Sequence, residues 1–413
     1  MRTIFHSDLN NFYASVECLL RPELRSFPLV VCGSIENRHG IVLAKNMLAK
    51  KAGITTGMVL YEAFALCPNL KTCEVRMAEY IKYARKVREI YAEYTDFIEP
   101  FGIDEAWLDV TSTVKLYRSA EDLAFIIKER IKSELGLTVS IGVSFNKVFA
   151  KLGSDMKKPD AITVINEDNF KEKIWVLPAS ELLYVGKQTF EKLKKLNINT
   201  IGDIARSDKS FLISHLGKWG DVLHDYACGM DFAPVRKYTE DSEIKSVGNS
   251  ITFYRDLTNN SDVESLLFVI AESVASRMRD YGFKKARSIS LTIMSNNLNS
   301  TIRMAKMNPP TALCSSIASH AYELFLKNWE WATLVRGLGI SVSDFTDEQQ
   351  LDISGVVQKE ERKENLEIAV EKIRDRFGSK SVKRGIVMVD KKMGEIVIKD
   401  EHTIHPVCYK KPK

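Results

Sequence analysis

From Phe97 to Val110 the chain reads Phe-Ile-Glu-Pro-Phe-Gly-Ile-Asp-Glu-Ala-Trp-Leu-Asp-Val, apolar side chains interleaved with acids. A stretch this apolar has to be buried, and the pattern predicts two strands turning near Gly102. Residues 3–9 alternate in the same way, and Asp8 stands at the end of that strand. Carboxylates at strand ends in apolar surroundings are costly unless something positive lies between them. Asp8 and the adjacent pair Asp104–Glu105 therefore stand out. Converging oxygens suit Mg²⁺, with a triphosphate supplying further ligands. Two such ions would activate an attacking hydroxyl and stabilise a leaving pyrophosphate. Neighbouring strand residues face opposite ways, so Asp104 and Glu105 share a site only where the strand bends, and Gly102 can supply the bend. A plain hairpin with its acids in water is the alternative.

The rest of the pattern predicts a multidomain α/β and α+β chain. A helix over 10–20 follows the first strand, and Leu29–Cys32 is a short apolar strand closed by Gly33. The spacing predicts helices over 42–52, 59–66 and 78–94. A helix over 119–134 and a strand at 138–144 complete a sheet with helices packed on it. Residues 166–233 read as short helices, and 234–243 is a polar linker. Residues 244–345 then give strand, helix (262–280), strands (287–295 and 299–306), helix (311–328) and strand (334–343). After a polar stretch at 344–350 come a charged helix over 358–377 and a final hairpin over 385–399, turning near Lys391–Gly394.

With 45% hydrophobic and 27% charged residues the chain is neither disordered nor collagen-like. No apolar run approaches the ~20 residues of a membrane span, and no signal peptide opens the chain. Seven cysteines, odd in number and without a C-x-x-C pair, predict reduced thiols in a cytoplasmic protein and argue against a zinc site. The net charge of +5 is too mild to identify a partner. Its distribution says more: Arg277, Arg279, Lys284, Lys285, Arg287, Arg303 and Lys306 face only Asp280. Such a cluster could follow a phosphate backbone, or form an ordinary solvated face.

The segment His6-Ser7-Asp8-Leu9-Asn10-Asn11-Phe12-Tyr13-Ala14-Ser15-Val16-Glu17 resembles the first motif of the Y-family (translesion) DNA polymerases. Gly102-Ile103-Asp104-Glu105-Ala106-Trp107-Leu108-Asp109 resembles their second. Val42 to Ile54 between them is similar to the family's nucleotide-binding finger helix. Ile141-Gly142-Val143-Ser144 through Met156-Lys157-Lys158-Pro159 follows in family order. Within that family the chain resembles the bacterial DNA polymerase IV and UmuC-like branch. This resemblance implies a right-hand polymerase, with a palm (1–19 and 76–165) of mixed sheet and helices and small fingers (20–75). It further implies a helical thumb (166–233) with a helix-hairpin-helix, a linker (234–243) and an α+β little finger (244–345).

The resemblance also implies roles. Asp8, Asp104 and the Leu9 carbonyl would hold a nucleotide-bound Mg²⁺, and Asp8, Asp104 and Glu105 a catalytic one. Tyr13 would be the steric gate against ribose, with Phe12 beside it. Met47, Lys50 and Lys158 stand where the family meets the triphosphate. The usual finger pattern T-x-x-Y-E-A-R-K has become Ala44, Met47, Leu48, Ala49 and Lys50, so two hydroxyls and the bidentate arginine fork are missing. In the thumb, Tyr184-Val185-Gly186 stands for G-h-G, leaving Gly186 and Lys187 to meet a DNA phosphate. The basic cluster at 277–306 becomes a DNA contact. Gln350-Leu351-Asp352-Ile353, in the linker 346–354, is similar to a peptide that docks on the β sliding clamp. The tail 355–413 resembles the C-terminal segment of the UmuC-like branch.

The expected function is template-directed DNA synthesis past damaged template, from dNTP onto a primer–template, by a monomer free of membranes. Low fidelity is expected because the chain after 354 is too short for a proofreading exonuclease. A non-enzymatic DNA- and clamp-binding scaffold is the competing reading, and the three acids argue against it. A nucleotide cyclase with a similar palm would have no use for the thumb-like and little-finger-like blocks.

Overall fold

The computed structural model describes residues 2–33, 40–238, 243–347, 356–378, 380–388 and 390–396, with side chains in the tail from 362 onward. These fall into two compact units, one built from residues up to 33 with 41–238, the other from 243 onward. In the first, β1 (Ile4–Leu9) runs into α1 (Phe12–Leu20) through Asn11, whose left-handed backbone makes the turn. Next come β2 (Leu29–Cys32), β3 (Val42–Lys45), α2 (Met47–Lys51), α3 (Leu60–Leu66), β4 (Lys71–Glu74) and α4 (Met77–Ala92). They are followed by β5 (Ile98–Pro100), β6 (Glu105–Asp109), α5 (Ala120–Leu135), β7 (Val139–Ser144), α6 (Lys147–Met156) and β8 (Ile162–Val164).

The central sheet has the order β5-β6-β1-β7-β8, antiparallel except for the parallel pair β7 and β8. The predicted hairpin is thus β5 and β6, with Gly102 in its turn. Asp8 faces Glu105 across the β1–β6 ladder. Buried aliphatic and aromatic side chains of β1, β6, β7, α4 and α5 close the core beneath it. A smaller sheet of order β3-β2-β4 has its own core around Val30, Val42, Ile54 and Leu60. Here the structure corrects the sequence: residues 42–45, expected to begin a helix, pair with β2 instead. Asn46 accepts from the Ala49 N–H and starts α2 only at Met47.

The helices α7 (Phe170–Ile174), α8 (Lys187–Lys195), α9 (Ile201–Arg206), α10 (Lys209–Leu216) and α11 (Lys218–Ala227) share one apolar core, as expected of 166–233. The second unit consists of β9 (Ser246–Leu257), α12 (Asn260–Asp280), β10 (Lys285–Ser295), β11 (Ser300–Thr311), α13 (Cys314–Asn328) and β12 (Val335–Thr346). Its antiparallel sheet has the order β11-β10-β12-β9. The tail adds α14 (Val356–Phe377) and α15 (Lys391–Glu395). The expected hairpin over 385–399 is not formed by its described part: a 3₁₀ turn at Gly385–Met388 precedes α15. Asp390 accepts from the N–H groups of Lys392 and Met393, and Val387 and Met393 bury in this unit's core. Cys18, Cys32, Cys67, Cys73, Cys228 and Cys314 are unpaired thiols. No helix among the described residues is long and apolar enough to cross a membrane.

Candidate active site

A cleft of about 360 Å³ opens where β1, α1 and β3 meet. Asp8, Leu9, Asn11, Phe12, Tyr13, Leu43, Ala44, Lys45, Thr56, Asp104 and Lys158 line it. Sequence reasoning named Asp8, Leu9, Phe12, Tyr13, Asp104 and Lys158 among these. The Leu9 N–H donates to the Asp104 carbonyl at 2.9 Å, which ties the end of β1 to the turn before β6. A Cβ at Gly102 would stand about 3.0 Å from both Asp104 Oδ1 and Glu105 Cγ, so any larger residue there would press on both carboxyls.

Burial and the nearby charges of Asp8 and Glu105 push the Asp104 carboxyl up to about 6. Burial raises Asp8 as well, against the attraction of Lys158, whose ammonium lies 2.8 Å from Asp8 Oδ2 and 2.8 Å from Asp155. Glu105 stands beside the cleft rather than in its lining. Burial would raise it, but His6 and Lys151 outweigh that and hold it near 2. Lys151 Nζ donates to Glu105 Oε2 at 2.6 Å. His6 is fully buried, with Nε2 3.4 Å from the same oxygen and Nδ1 2.8 Å from Ser154 Oγ. Its burial keeps the imidazole below the ordinary histidine range.

Lys151, Ser154 and Asp155 all lie on α6, which runs against β7 where Gly142 admits close approach. One helix thus secures all three groups next to the acids.

Tyr13 lies stacked on Tyr80, ring centroids 4.3 Å apart and nearly parallel, with Phe12 at 5.7 Å. Tyr80 in turn donates to Glu17 Oε1 at 2.8 Å, and buried Glu17 also accepts from Arg76 at 3.0 Å and from Arg21. That anchoring pair, Tyr80 and Glu17, was not singled out from the sequence, although Glu17 closes the quoted first motif. Met47 and Lys50 do not line the cleft, and Lys50 is exposed. Lys45 and Thr56 line it instead. Reading 42–52 as a helix hid Lys45, and nothing in the local pattern marked Thr56.

Gly186 begins α8 with open space around it, and Lys187 follows as the first helical residue. Tyr184, where a glycine would be usual, takes a left-handed φ of 70° and rests its ring on Trp219. The basic cluster is split between two layers. Arg277 donates to the Gly248 carbonyl, and Arg279 pairs with Glu367 and Glu371 of α14. Lys284 is exposed just before β10, and Lys285 and Arg287 lie on β10 itself. Arg303 bonds Asn328 from β11, and exposed Lys306 pairs with Asp344 at 2.7 Å. Gln350, Leu351 and Ile353 lie outside the described residues.

Residues 7–155 match the impB/mucB/samB family, and residues 244–354 match that family's C-terminal domain. A DNA polymerase IV of Acetivibrio thermocellus is 49% identical over 398 residues, covering 96% of this chain and 100% of the relative. One from Pelotomaculum thermopropionicum is 36% identical over 93% of this chain and 94% of its own length. DNA polymerase IV 1 of Bacillus subtilis is 35% identical over 94% and 93%. Among solved structures, a Y-family DNA polymerase chimera superposes with a TM-score of 0.73 at 24% identity, covering 84% of this chain and all of that one. The fold is that right-hand polymerase fold, and the chain belongs to the impB/mucB/samB family of Y-family DNA polymerases, in its DNA polymerase IV branch.

Proposed function

We propose that this chain, a DNA-directed DNA polymerase, extends primers past damaged template by two-metal-ion transfer of a nucleotide from dNTP to the primer 3′-hydroxyl. The observation that carries the site assignment is the convergence of Asp8 and Asp104 in one cleft, with Asp104 raised to about 6 by burial and by the charges of Asp8 and Glu105. Y-family DNA polymerases are generally divalent-metal dependent. The donors here are all oxygens, which suits a hard cation such as Mg²⁺. Asp8, Asp104 and the Leu9 carbonyl would hold the nucleotide-bound ion, and Asp8, Asp104 and Glu105 the catalytic one. Held by these residues, two Mg²⁺ ions would supply Lewis-acid activation of the attacking oxygen and charge stabilisation of the leaving pyrophosphate.

The chain's own groups do the rest. Lys151 and His6 keep Glu105 ionised and in place. Lys158 neutralises Asp8 in the free enzyme, and its ammonium is within the cleft to meet a phosphate. Tyr13, braced by Tyr80, presents a rigid ring where a 2′-hydroxyl would clash. The open N-terminus of α8 at Gly186 offers backbone N–H groups to a DNA phosphate. Lys187 at that terminus and the basic side chains Arg277, Arg279, Lys284, Lys285, Arg287, Arg303 and Lys306 of the second unit are the further DNA contacts in this reading. A catalytically silent scaffold is not favoured, since it would have no use for buried acids that repel one another.

Primer extension over an abasic template tests this reading. The expected result is extension past the lesion with Mg²⁺, abolished by chelation. A chain that copies intact DNA but stops at every lesion would remove the translesion part. No extension on either template would leave the scaffold.

A further inference from the structure

Among the described residues two cations, Lys45 and Lys158, line the cleft, and they differ in one respect. Lys158 is engaged with Asp8 and Asp155. Lys45 makes one side-chain hydrogen bond among the described residues, to the neutral Thr56 hydroxyl at 3.1 Å, and no ion pair. A partly desolvated ammonium without an anion is unfavourable. Burial, and then the charge of Lys50 nearby, hold its pKa below the ordinary lysine value.

Its position is nonetheless firmly built. Lys45 ends β3, opposite Val30 of β2. The next residue, Asn46, accepts from the Leu29 and Ala49 N–H groups and donates to the Phe27 carbonyl. Thr56 is brought alongside because the Gly57 N–H donates to the Val42 carbonyl at 2.7 Å, and the Val42 N–H to Met58 at 2.9 Å. Gly57 makes that turn with a φ of +86°. Ala44, in the same wall, has no side-chain donor. Lysine has three N–H donors, of which Thr56 uses one, and the Thr56 hydroxyl keeps its own proton to donate. The pair thus turns unused N–H and O–H donors toward the cleft that also holds Asp8 and Asp104.

We propose that Lys45, positioned by Thr56, binds the terminal phosphates of the incoming nucleoside triphosphate, the part that leaves as pyrophosphate. The proposal rests on the polymerase reading above and names a residue the finger-helix pattern did not.

The test is single-nucleotide incorporation by the full chain as wild type, Lys45→Ala, Lys45→Arg and Thr56→Val. The KM for dNTP, inhibition by free pyrophosphate and the Kd for primer–template DNA are measured for each. Lys45→Ala should raise the KM by roughly 10–100-fold, the loss of a charge-assisted hydrogen bond to an ionised group. Pyrophosphate inhibition should weaken by a similar factor while the DNA Kd stays the same. Lys45→Arg should recover part of both, and Thr56→Val should show a smaller loss in both. An unchanged KM in Lys45→Ala would overturn the proposal, as would a raised KM with pyrophosphate inhibition intact. Should Lys45→Ala melt early, Lys45→Arg and Thr56→Val decide by the same two constants. Wild type that incorporates no nucleotide would instead sink the polymerase reading, and this inference with it.

Discussion

Asp104 bears the strain of the free site. Its carboxyl, raised to about 6, is ionised at neutral pH against burial and two like charges. Its folded pKa lies above the unfolded value, so this penalty is fully present above about 6 and is relieved as pH falls through it. Asp104→Asn should therefore raise the Tm at pH 7 while abolishing synthesis, read by thermal unfolding beside primer extension. Proton and Mg²⁺ compete for the same oxygens. Apparent Mg²⁺ affinity should be level above about 6 and fall up to tenfold per pH unit below it. The pH midpoint of primer extension at a fixed, subsaturating Mg²⁺ concentration should therefore move to lower pH as Mg²⁺ is raised, and a midpoint indifferent to Mg²⁺ would speak against Asp104 as a ligand. Tyr13 tests sugar selection. Tyr13→Ala should raise kcat/KM for rNTP by at least about tenfold, the relief of a clash worth over 1.4 kcal/mol, with little change for dNTP. Equal losses on both sugars would make Tyr13 packing alone. Asp8, Asp104 and Tyr13 could be placed at the cleft from the sequence because each sits in a contiguous motif that resembles the family's. Lys45 was not, since its role depends on a strand end and on Thr56, eleven residues away across a turn.

Among the elements, α6 does the most for the site, because Lys151, Ser154 and Asp155 reach Glu105, His6 and Lys158 from it. Its closeness to the sheet depends on Gly142, where a Cβ would stand 1.9 Å from the Ala150 carbonyl oxygen and 2.5 Å from the Ser154 nitrogen. Gly142→Ala should destabilise the first unit by about 3 kcal/mol or more, the cost of overpacking against backbone. Thermal melts would show it, and an unaltered Tm would mean that α6 yields freely. Elements with clean periodicity were readable: β5 and β6 around Gly102, the long helices α4, α5 and α12, and the strand–helix order of the second unit. Short elements were not. Val42-Leu43-Ala44-Lys45 carries no alternation, and its strand state comes from pairing with Val30–Cys32, a tertiary contact. The stretch 385–399 looked like strands, yet Asp390 caps a helical turn and Val387 and Met393 are drawn into the core.

Across the whole molecule, the tail could be recognised as a charged helix but not for what it binds. Glu367 and Glu371 of α14 pair with Arg279, and Arg374 reaches Glu272 at 2.8 Å, so a helix that reads as solvated covers the helical layer of its own unit. Arg279, grouped with the DNA contacts from the sequence, is thus also paired within its own unit. The proposed clamp peptide lies between this helix and β12. Leu351 and Ile353 stand two apart, so an extended chain would aim both at one groove, each contributing roughly 1.5–3 kcal/mol if buried. Changing both to Ala should abolish sliding-clamp binding and clamp-stimulated processivity, and leave unassisted extension of a short primer unchanged. Unaltered clamp affinity in the double variant would end that proposal. Asp8, Asp104 and Glu105 are proposed to act on the nucleotide rather than on DNA binding. Single-turnover incorporation of one dNTP by wild type and Asp104→Ala, with DNA affinity measured by fluorescence anisotropy on the same substrate, tests it most directly. In Asp104→Ala the rate should be at least about a thousandfold lower, from lost transition-state charge stabilisation, at unchanged DNA affinity. Asp104→Ala incorporating near the wild-type rate would contradict it.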